Sequence, residues 1–176
     1  MSTVLTISAL RAQIAGTHTR TAENADVEGI TGQTSVRNVA LEIAFALANG
    51  TGNGQADLIF MDTHTLAGGA TKQYDLAGVE LDPNGNLLTF ATVKAIILYS
   101  NLAANKVLTL TTPAANGFDS WHLAAQQGVL VNPLGVLLLA TPNTGYATAA
   151  GTDLLDVVNA GGGNSTFDLI IVGTSV

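Results

Sequence analysis

The side chains best suited to chemistry are a few acids and three histidines, and two of them lie close together. Asp62 and His64 are two residues apart in a β-like segment, so a strand would place both on one face. A transition-metal site needs three or four converging ligands, and this pair supplies two. A similar tripeptide at residues 17–19 contains His18. We expect no metal site and interpret the pair as polar residues of a solvated or interfacial face.

Paired carboxylates would be needed for glycoside hydrolysis, and no pair among the 13 acids is marked by its spacing. Asp153 and Asp156 are one candidate pair, and Glu80 and Asp82 are another. Both pairs stand near turn-forming residues, where acids commonly solvate a loop or cap a turn. We therefore expect no catalytic carboxylate.

Other catalytic patterns are also missing from the sequence. There is no Gly-x-Ser-x-Gly nucleophile motif, and no glycine cluster is followed by Gly-Lys-Ser or Gly-Lys-Thr, so the clusters indicate hairpin turns. His122 beside Trp121 is expected to make a surface or core contact. Trp121 with Tyr74, Tyr99 and Tyr146 could line a sugar platform, but core packing and interface anchoring are favoured. The sequence predicts no catalytic or cofactor-binding residue and a protein that is not an enzyme.

Charged residues are scarce, and this is the strongest signal in the composition. Only 11% of the 176 residues are charged, where about 25% is typical of soluble domains. Lys and Arg number 6 against 13 Asp and Glu, which gives a net charge of −7 and argues against nucleic acid as a partner. The uncharged window at residues 124–152 is interrupted by Gln, Asn and Pro, so we expect no membrane span. Without cysteine there are no disulfides.

The elements that must position these residues follow a two-residue pattern. Residues 39–48 carry their five bulky apolar side chains at odd positions, which predicts a strand. A glycine-rich loop at residues 49–54 follows, and residues 56–66 form another β-like segment, so the two strands are predicted to pair as a hairpin.

The remaining chain continues as short strands divided by Gly, Pro and Asn. The predicted strands are residues 71–76, 87–100, 106–111, 129–131, 136–140, 154–158 and 167–172. The nearly continuous apolar run at residues 93–99 is typical of a strand covered on both faces. Hairpins are predicted at residues 49–54, 83–86 and 161–164. This pattern predicts an all-β antiparallel β-sandwich, jelly-roll-like in its strand spacing.

Two regions depart from the strand pattern. Residues 120–128 have a plausible N-cap, good helix formers and a terminal glycine, which predicts one short helix. Residues 8–16 are ambiguous between helix and strand. Residues 16–37 are polar and predict an extended arm or long loop. We therefore divide the chain into an N-terminal arm at residues 1–37 and one sandwich domain at residues 38–176.

Four segments carry a resemblance to a known class of proteins. They are Asp-Leu-Ala-Gly at residues 75–78, Leu-Thr-Phe-Ala-Thr-Val-Lys-Ala at 88–95, Gly-Val-Leu-Leu-Leu-Ala at 135–140 and Asp-Leu-Ile-Ile-Val-Gly at 168–173. Over residues 57–176 the chain resembles the small all-β structural proteins of tailed-phage virions. The resemblance implies a capsid decoration (cement) protein first, and a tail, spike or receptor (carbohydrate)-binding module second.

The resemblance and the charge deficit together imply the partners. A decoration protein would bind the major capsid protein or other virion proteins on the capsid surface, after synthesis in the host cytoplasm. The charge deficit independently predicts a homo-oligomer, because burying apolar patches between copies relieves their exposure to water. Among closed rings a trimer is preferred, since the resembled proteins commonly occupy threefold positions.

Overall fold

The computed structural model describes residues 5, 7–22, 33–82, 85–122 and 126–175. Within these ranges there are twelve strands and no helix, which confirms the all-β prediction. This part of the chain accordingly offers no helix that could span a membrane. The chain divides into two compact units: the hairpin unit, Ala9–Ala46, and a sandwich unit made of Met1–Ser8 and Leu47–Val176. The sequence placed its boundary between residues 37 and 38.

The hairpin unit is built from two long neighbouring strands, β1 (Ile7–Ala22) and β2 (Gln33–Asn49). Ten residues separate the strands and reach at most about 36 Å. A strand of 16 residues is about 54 Å long, so the connection is too short for parallel pairing and the strands run antiparallel. Arg11 Nε and Glu42 Oε1 form an ion pair at 3.0 Å between them.

The predicted arm is more regular than the sequence indicated. Residues 16–37 were expected to form an extended arm or long loop, but they are strand up to Ala22 and again from Gln33; residues 23–32 lie outside the described ranges. The ambiguous residues 8–16 belong to β1 as well. The polar composition was misleading, because two paired strands satisfy each other's backbone groups without needing an apolar face.

Two antiparallel sheets make up the sandwich unit. The large sheet contains β4 (Leu58–Leu66), β6 (Thr92–Ser100), β9 (Val136–Ala140), β10 (Tyr146–Ala147) and β12 (Ser165–Thr174). Its order is β10-β6-β12-β4, and β9 follows β10 along the same edge of β6. The small sheet contains, in spatial order, β5 (Thr71–Asp75), β11 (Leu154–Asn159), β7 (Leu108–Thr111) and β8 (Val129–Val131).

The core lies between these two sheets, as alternation along the strands requires. On the central strand β12, Phe167, Leu169 and Ile171 are fully buried, while Asp168 and Ile170 between them are only half-buried. The small sheet contributes Leu110 and Leu155, among others, to the same apolar cluster. The cluster therefore joins the sheets into one sandwich-like unit. An observed strand overlaps each of the predicted strands at residues 71–76, 87–100, 106–111, 129–131, 136–140, 154–158 and 167–172.

The predicted hairpins are mostly wrong, although the turns are in the right places. The loop at residues 49–54 leads from β2 to the two-residue strand β3 (Gln55–Ala56), which pairs with β2 in parallel. β4 pairs with β12 instead of β2, and residues 161–164 connect β11 to β12 in the opposite sheet. Of the three predicted hairpins, only the one at residues 83–86 is flanked by residues that pair with each other, because Leu81 and Leu87 form an antiparallel bridge. Residues 83 and 84 themselves lie outside the described ranges.

The short helix predicted at residues 120–128 stays a prediction. Residues 120–122 form a turn and bend, and residues 126–128 are a turn followed by irregular chain. The three residues between them lie outside the described part. Apart from β7 to β8 and β9 to β10, every connection from β4 to β12 passes from one sheet to the other.

Candidate functional site

Asp62 and His64 lie on one face of β4, as the sequence predicted, but the surroundings of that face differ from the expectation. Both side chains are half-buried, on the same side of the strand as the core residues Phe60 and Leu66. The His64 ring lies 5.9 Å from the Phe167 ring. The face is therefore turned toward the sandwich interior and is not a solvated surface.

Tyr74, from the facing sheet, is the partner that the sequence did not reveal for Asp62. Its hydroxyl donates a hydrogen bond to Asp62 Oδ2 at 2.7 Å, its ring meets that of Phe60 edge to face at 5.6 Å, and Lys72 Nζ lies 5.1 Å from its ring centroid. Burial, and then the hydrogen bond to Asp62, raise the pKa of Tyr74 far above its usual range. Tyr74 is therefore held as a neutral hydrogen-bond donor, which suits a clamp between strands better than proton transfer.

These groups do not assemble a metal site. In the described ranges, no three His, Cys, Asp or Glu residues come together in a way that could hold a metal ion. The side chain of His18, in the second histidine tripeptide, lies outside the described part.

A second polar cluster surrounds His122, whose side chain is only 10% exposed. Thr112 Oγ1 donates to Asp119 Oδ1 at 2.7 Å and lies 3.3 Å from His122 Nε2, which is itself 3.9 Å from Asp119 Oδ1. In a nucleophilic triad, the acid and the nucleophile bind opposite nitrogens of the histidine. Here both approach Nε2, and Nδ1 is buried with no hydrogen-bond partner among the described residues. The cluster therefore lacks triad geometry.

The other acids and the aromatic residues take separate structural roles. Asp82 accepts hydrogen bonds from the backbone and side-chain nitrogens of Asn86, so it caps its turn as predicted. Tyr74 is fully buried, Tyr146 packs partly buried against the core, and Tyr99 lies in an outer groove of the large sheet. A single sugar platform made of these aromatic residues does not form.

That groove, of about 510 Å³, lies on the outer face of the large sheet. It is lined mainly by apolar residues from the four strands that lie side by side there, and Asp168 is the acid whose side chain lies on that outer face. The strand register places Met61, Ile170, Ile97 and Leu138 in one row across the sheet. Met61 is 55% exposed, and Val136 in the next row is 63% exposed. Asp168 accepts hydrogen bonds from Thr63 Oγ1 at 2.6 Å and Asn101 Nδ2 at 3.1 Å.

The hairpin unit presents a second apolar face. Leu41, Ile43 and Phe45 project from one side of β2 and are 54%, 42% and 39% exposed. The alternation at residues 39–48 predicted this face. The outer face of the large sheet was indicated only indirectly, by the run at residues 93–99 that predicted a strand covered on both faces. Within the chain, residues 93–96 are buried on both faces of β6, whereas Ile97 and Tyr99 on the outer face are only half-buried.

No protein-family model, curated protein or solved structure matches the chain.

Proposed function

We propose that the protein is a structural protein of a tailed-phage virion, acting as a capsid decoration (cement) protein that stabilises the head by non-covalent contacts. The observation that carries the proposal is the pair of uncovered apolar faces, one on β2 and one on the large sheet, in a chain with only 11% charged residues. Such faces are typical of surfaces that bind other proteins.

We infer a jelly roll from the order of strand pairing. β4 pairs with β12, β5 with β11, β6 with β9 and β10, and β7 with β8. The strands thus pair from the two ends of the sandwich inward, as in one long hairpin rolled over on itself. Jelly rolls occur in viral capsid proteins and in lectins, so this inference supports the proposal without deciding between shell and sugar-binding roles.

The uncovered faces favour the shell role over the sugar-binding one. The alternative is a tail, spike or receptor (carbohydrate)-binding module, and Tyr99 beside Asp168 in the groove is the arrangement that favours it, because sugars stack on aromatic rings and bond to carboxylates. However, the Asp168 carboxylate already accepts two hydrogen bonds from its neighbours. The rest of the groove is mainly apolar, as is the buried core of an interface between proteins.

The proposed assembly is a homo-oligomer, with a trimer preferred, that binds the major capsid protein on the capsid surface. Light scattering coupled to size exclusion should then give a mass near three times 17.9 kDa. Mass spectrometry of purified particles should count hundreds of copies. A few to tens of copies, together with binding on a glycan array, would support the alternative instead. A monomer at micromolar concentration with no affinity for capsids would contradict both the assembly and the decoration role.

A further inference from the structure

We propose that strand β9 pairs antiparallel with β9 of a second copy of this chain, so that the large sheets of the two copies join into one sheet. β9 stands at an edge of the large sheet, where it pairs with β6 on one side. Within the described part of the sandwich unit, no strand pairs with it on the other side. An edge of this kind presents a row of backbone N–H and C=O groups that another strand can bind.

Hydrogen bonds at the two ends of β9 show which backbone groups face the open edge. Ser100 N donates to Gly135 O at 3.0 Å, and Thr141 N donates to Lys94 O at 2.8 Å. In an antiparallel pair every second residue bonds to the neighbouring strand, and the residues between them point their N–H and C=O groups the other way. The odd-numbered residues of β9 therefore bond to β6. The outward groups are those of Val136, Leu138 and Ala140.

β9 lacks the charges that commonly keep an edge strand from pairing. Natural sheets protect their edges with charged side chains or proline. The edge strand β4 carries Asp62, and the edge strand β5 of the small sheet carries Lys72 and Asp75. β9 has the sequence Val-Leu-Leu-Leu-Ala, and the stretch around it at residues 120–152 contains no Asp, Glu, Lys or Arg. Two copies of a chain with a net charge of −7 therefore bring no like charges together along this strand.

The occupant is a second copy because β9 is nearly palindromic. With Leu138 at the centre, antiparallel pairing sets Leu138 against Leu138 of the second copy, and Val136 against Ala140. Three outward N–H and three outward C=O groups on each copy then give six hydrogen bonds. Val136 is 63% exposed, and the small Ala140 opposite leaves room for it. Pro142 follows β9 and lacks an N–H group, so it confines the pairing to the strand.

The contact is isologous, with a twofold axis at Leu138. It shares with the proposed function only the association of copies, and it does not depend on the kind of particle. A twofold contact cannot close a ring of three, so it would join the proposed trimers in pairs. Five residues per copy bury far less than the roughly 1,200 Å² of a standard stable interface. The contact should therefore form at high protein concentration.

Paired cysteine variants test the register, because the native chain has no cysteine. Full-length Val136→Cys and Ala140→Cys are made separately, mixed and oxidised. The register places the two positions opposite each other at about 5.5 Å between Cα atoms, which a disulfide spans. In either variant alone, the two equivalent thiols lie about 14 Å apart along the strands, too far for a bridge. A non-reducing gel of the mixture should show a cross-linked species at twice 17.9 kDa, and each variant alone should show none.

Val136→Cys mixed with Met61→Cys is the matched control for random collision. Met61 is 55% exposed and lies on β4, at the opposite edge of the large sheet, so this mixture should stay unlinked. A Val136→Cys and Ala140→Cys mixture that links no better than this control would overturn the inference.

A charge at the centre of the contact gives a second test. Leu138→Lys puts two lysines directly opposite each other, and like charges so placed destabilise a strand pair. With rising protein concentration, light scattering should show the wild-type mass increasing toward twice its dilute value and the Leu138→Lys mass staying constant. Val79→Lys adds the same charge at a 63% exposed position outside the strands and should behave like wild type. An equal rise in the Leu138→Lys mass would overturn the inference. If that variant does not fold by circular dichroism, the cysteine mixtures decide.

The outcomes separate this contact from the proposed function. A constant trimer mass, with no disulfide in the mixture, would remove the β9 contact and leave the homo-oligomer in place. A disulfide in a protein that does not bind capsids would keep the contact and remove the decoration role. If Leu138→Lys abolishes capsid binding while the wild-type mass is constant, the strand that pairs with β9 belongs to the capsid protein, and the second copy is the wrong occupant.

Discussion

The Tyr74 hydroxyl on β5 donates a 2.7 Å hydrogen bond to Asp62 Oδ2 on β4, and it thereby joins edge strands of the two sheets. The bond lies where the core meets solvent, since Tyr74 is fully buried and Asp62 is half-buried. It adds a polar link between sheets that are otherwise held together by apolar packing.

Removing the hydroxyl should test that link. Tyr74→Phe leaves the Asp62 carboxylate without its donor, and we expect a loss of about 1.5 to 3 kcal/mol in the free energy of unfolding, the usual range for a hydrogen bond to a charged group. Urea unfolding measures it. Tyr99→Phe makes the same change in the outer groove and should cost less than about 0.5 kcal/mol. Equal losses in the two variants would mean that the bond adds nothing specific.

Asp156 should make stability depend on pH. Burial raises the pKa of this carboxyl, and the hydrogen bond from Gln73 Nε2 at 3.0 Å opposes the shift only in part. The folded state therefore holds the proton more tightly than the unfolded chain, whose Asp pKa is about 4. As pH rises from about 4 through the folded pKa, ionisation of Asp156 lowers stability, and the loss persists at higher pH.

Asp156→Asn isolates that effect, because the amide oxygen can still accept the hydrogen bond from Gln73. We expect the variant to be more stable than wild type at pH 7 and equally stable at pH 3, by urea unfolding at both values. A variant that is less stable by the same amount at both pH values would show that geometry matters at this site and charge does not.

Asn159 should be among the least replaceable polar residues. It is fully buried, and its Nδ2 lies within hydrogen-bond distance of the carbonyls of Leu66, Ala67 and Gly163, while its Oδ1 accepts from Gly161. It thus ties the turn after β4 to the turn before β12. Asn159→Ala leaves several buried backbone groups without a hydrogen-bond partner. We therefore expect the free energy of unfolding to fall by about 2 to 4 kcal/mol.

A charged isostere at position 159 should destabilise the fold more than alanine does. Asn159→Asp replaces the donor by an oxygen that faces carbonyl oxygens, so its free energy of unfolding should fall below that of Asn159→Ala. Asn164→Ala, an exposed change in the same turn, is the control and should stay within about 0.5 kcal/mol of wild type. Thermal unfolding ranks the three, and an Asp variant as stable as wild type would contradict the assigned orientation of the amide.

Gly173 marks a close approach of backbone to backbone. It stands at a register shift of β12 against β6, and an added Cβ would collide with the carbonyl oxygen of Thr92 and approach Phe90 Cδ1 to 2.6 Å. Gly173→Ala should therefore cost about 2 kcal/mol or more. Gly162→Ala, whose Cβ would meet nothing within 4 Å, should be neutral. Chemical unfolding of the pair checks this, and equal stabilities would show that β12 shifts without cost.

The sequence predicted most strands and few of their partners, and the turns explain why. Gly and Asn at residues 161–164 do separate two consecutive strands, β11 and β12, as predicted. However, turn residues set local backbone angles, and they do not encode whether the next strand joins the same sheet or the opposite one. That choice depends on long-range packing, such as Phe167 against His64 and the backbone pairing of β12 with β4.

The two apolar surfaces also differ in how far the sequence predicted them, because one depends on a local pattern and the other on long-range strand pairing. Alternation at residues 39–48 predicted an apolar face of β2, because period two is a local property of a strand. The row from Met61 to Leu138 was not predicted, since its four residues come from four strands and meet only through the sheet register. For the same reason, Tyr74 could not be assigned to Asp62 from spacing alone.

The connections that cross between the sheets also have a kinetic consequence. Six of the eight connections from β4 to β12 pass from one sheet to the other, so few adjacent segments can form a stable pair early. Most pairings must wait until distant parts of the chain meet, as β4 does with β12 about 100 residues later. Loop closure of that kind slows folding toward the millisecond-to-second range. We expect amide protons in β4, β6 and β12 to gain protection from exchange in a single phase during refolding.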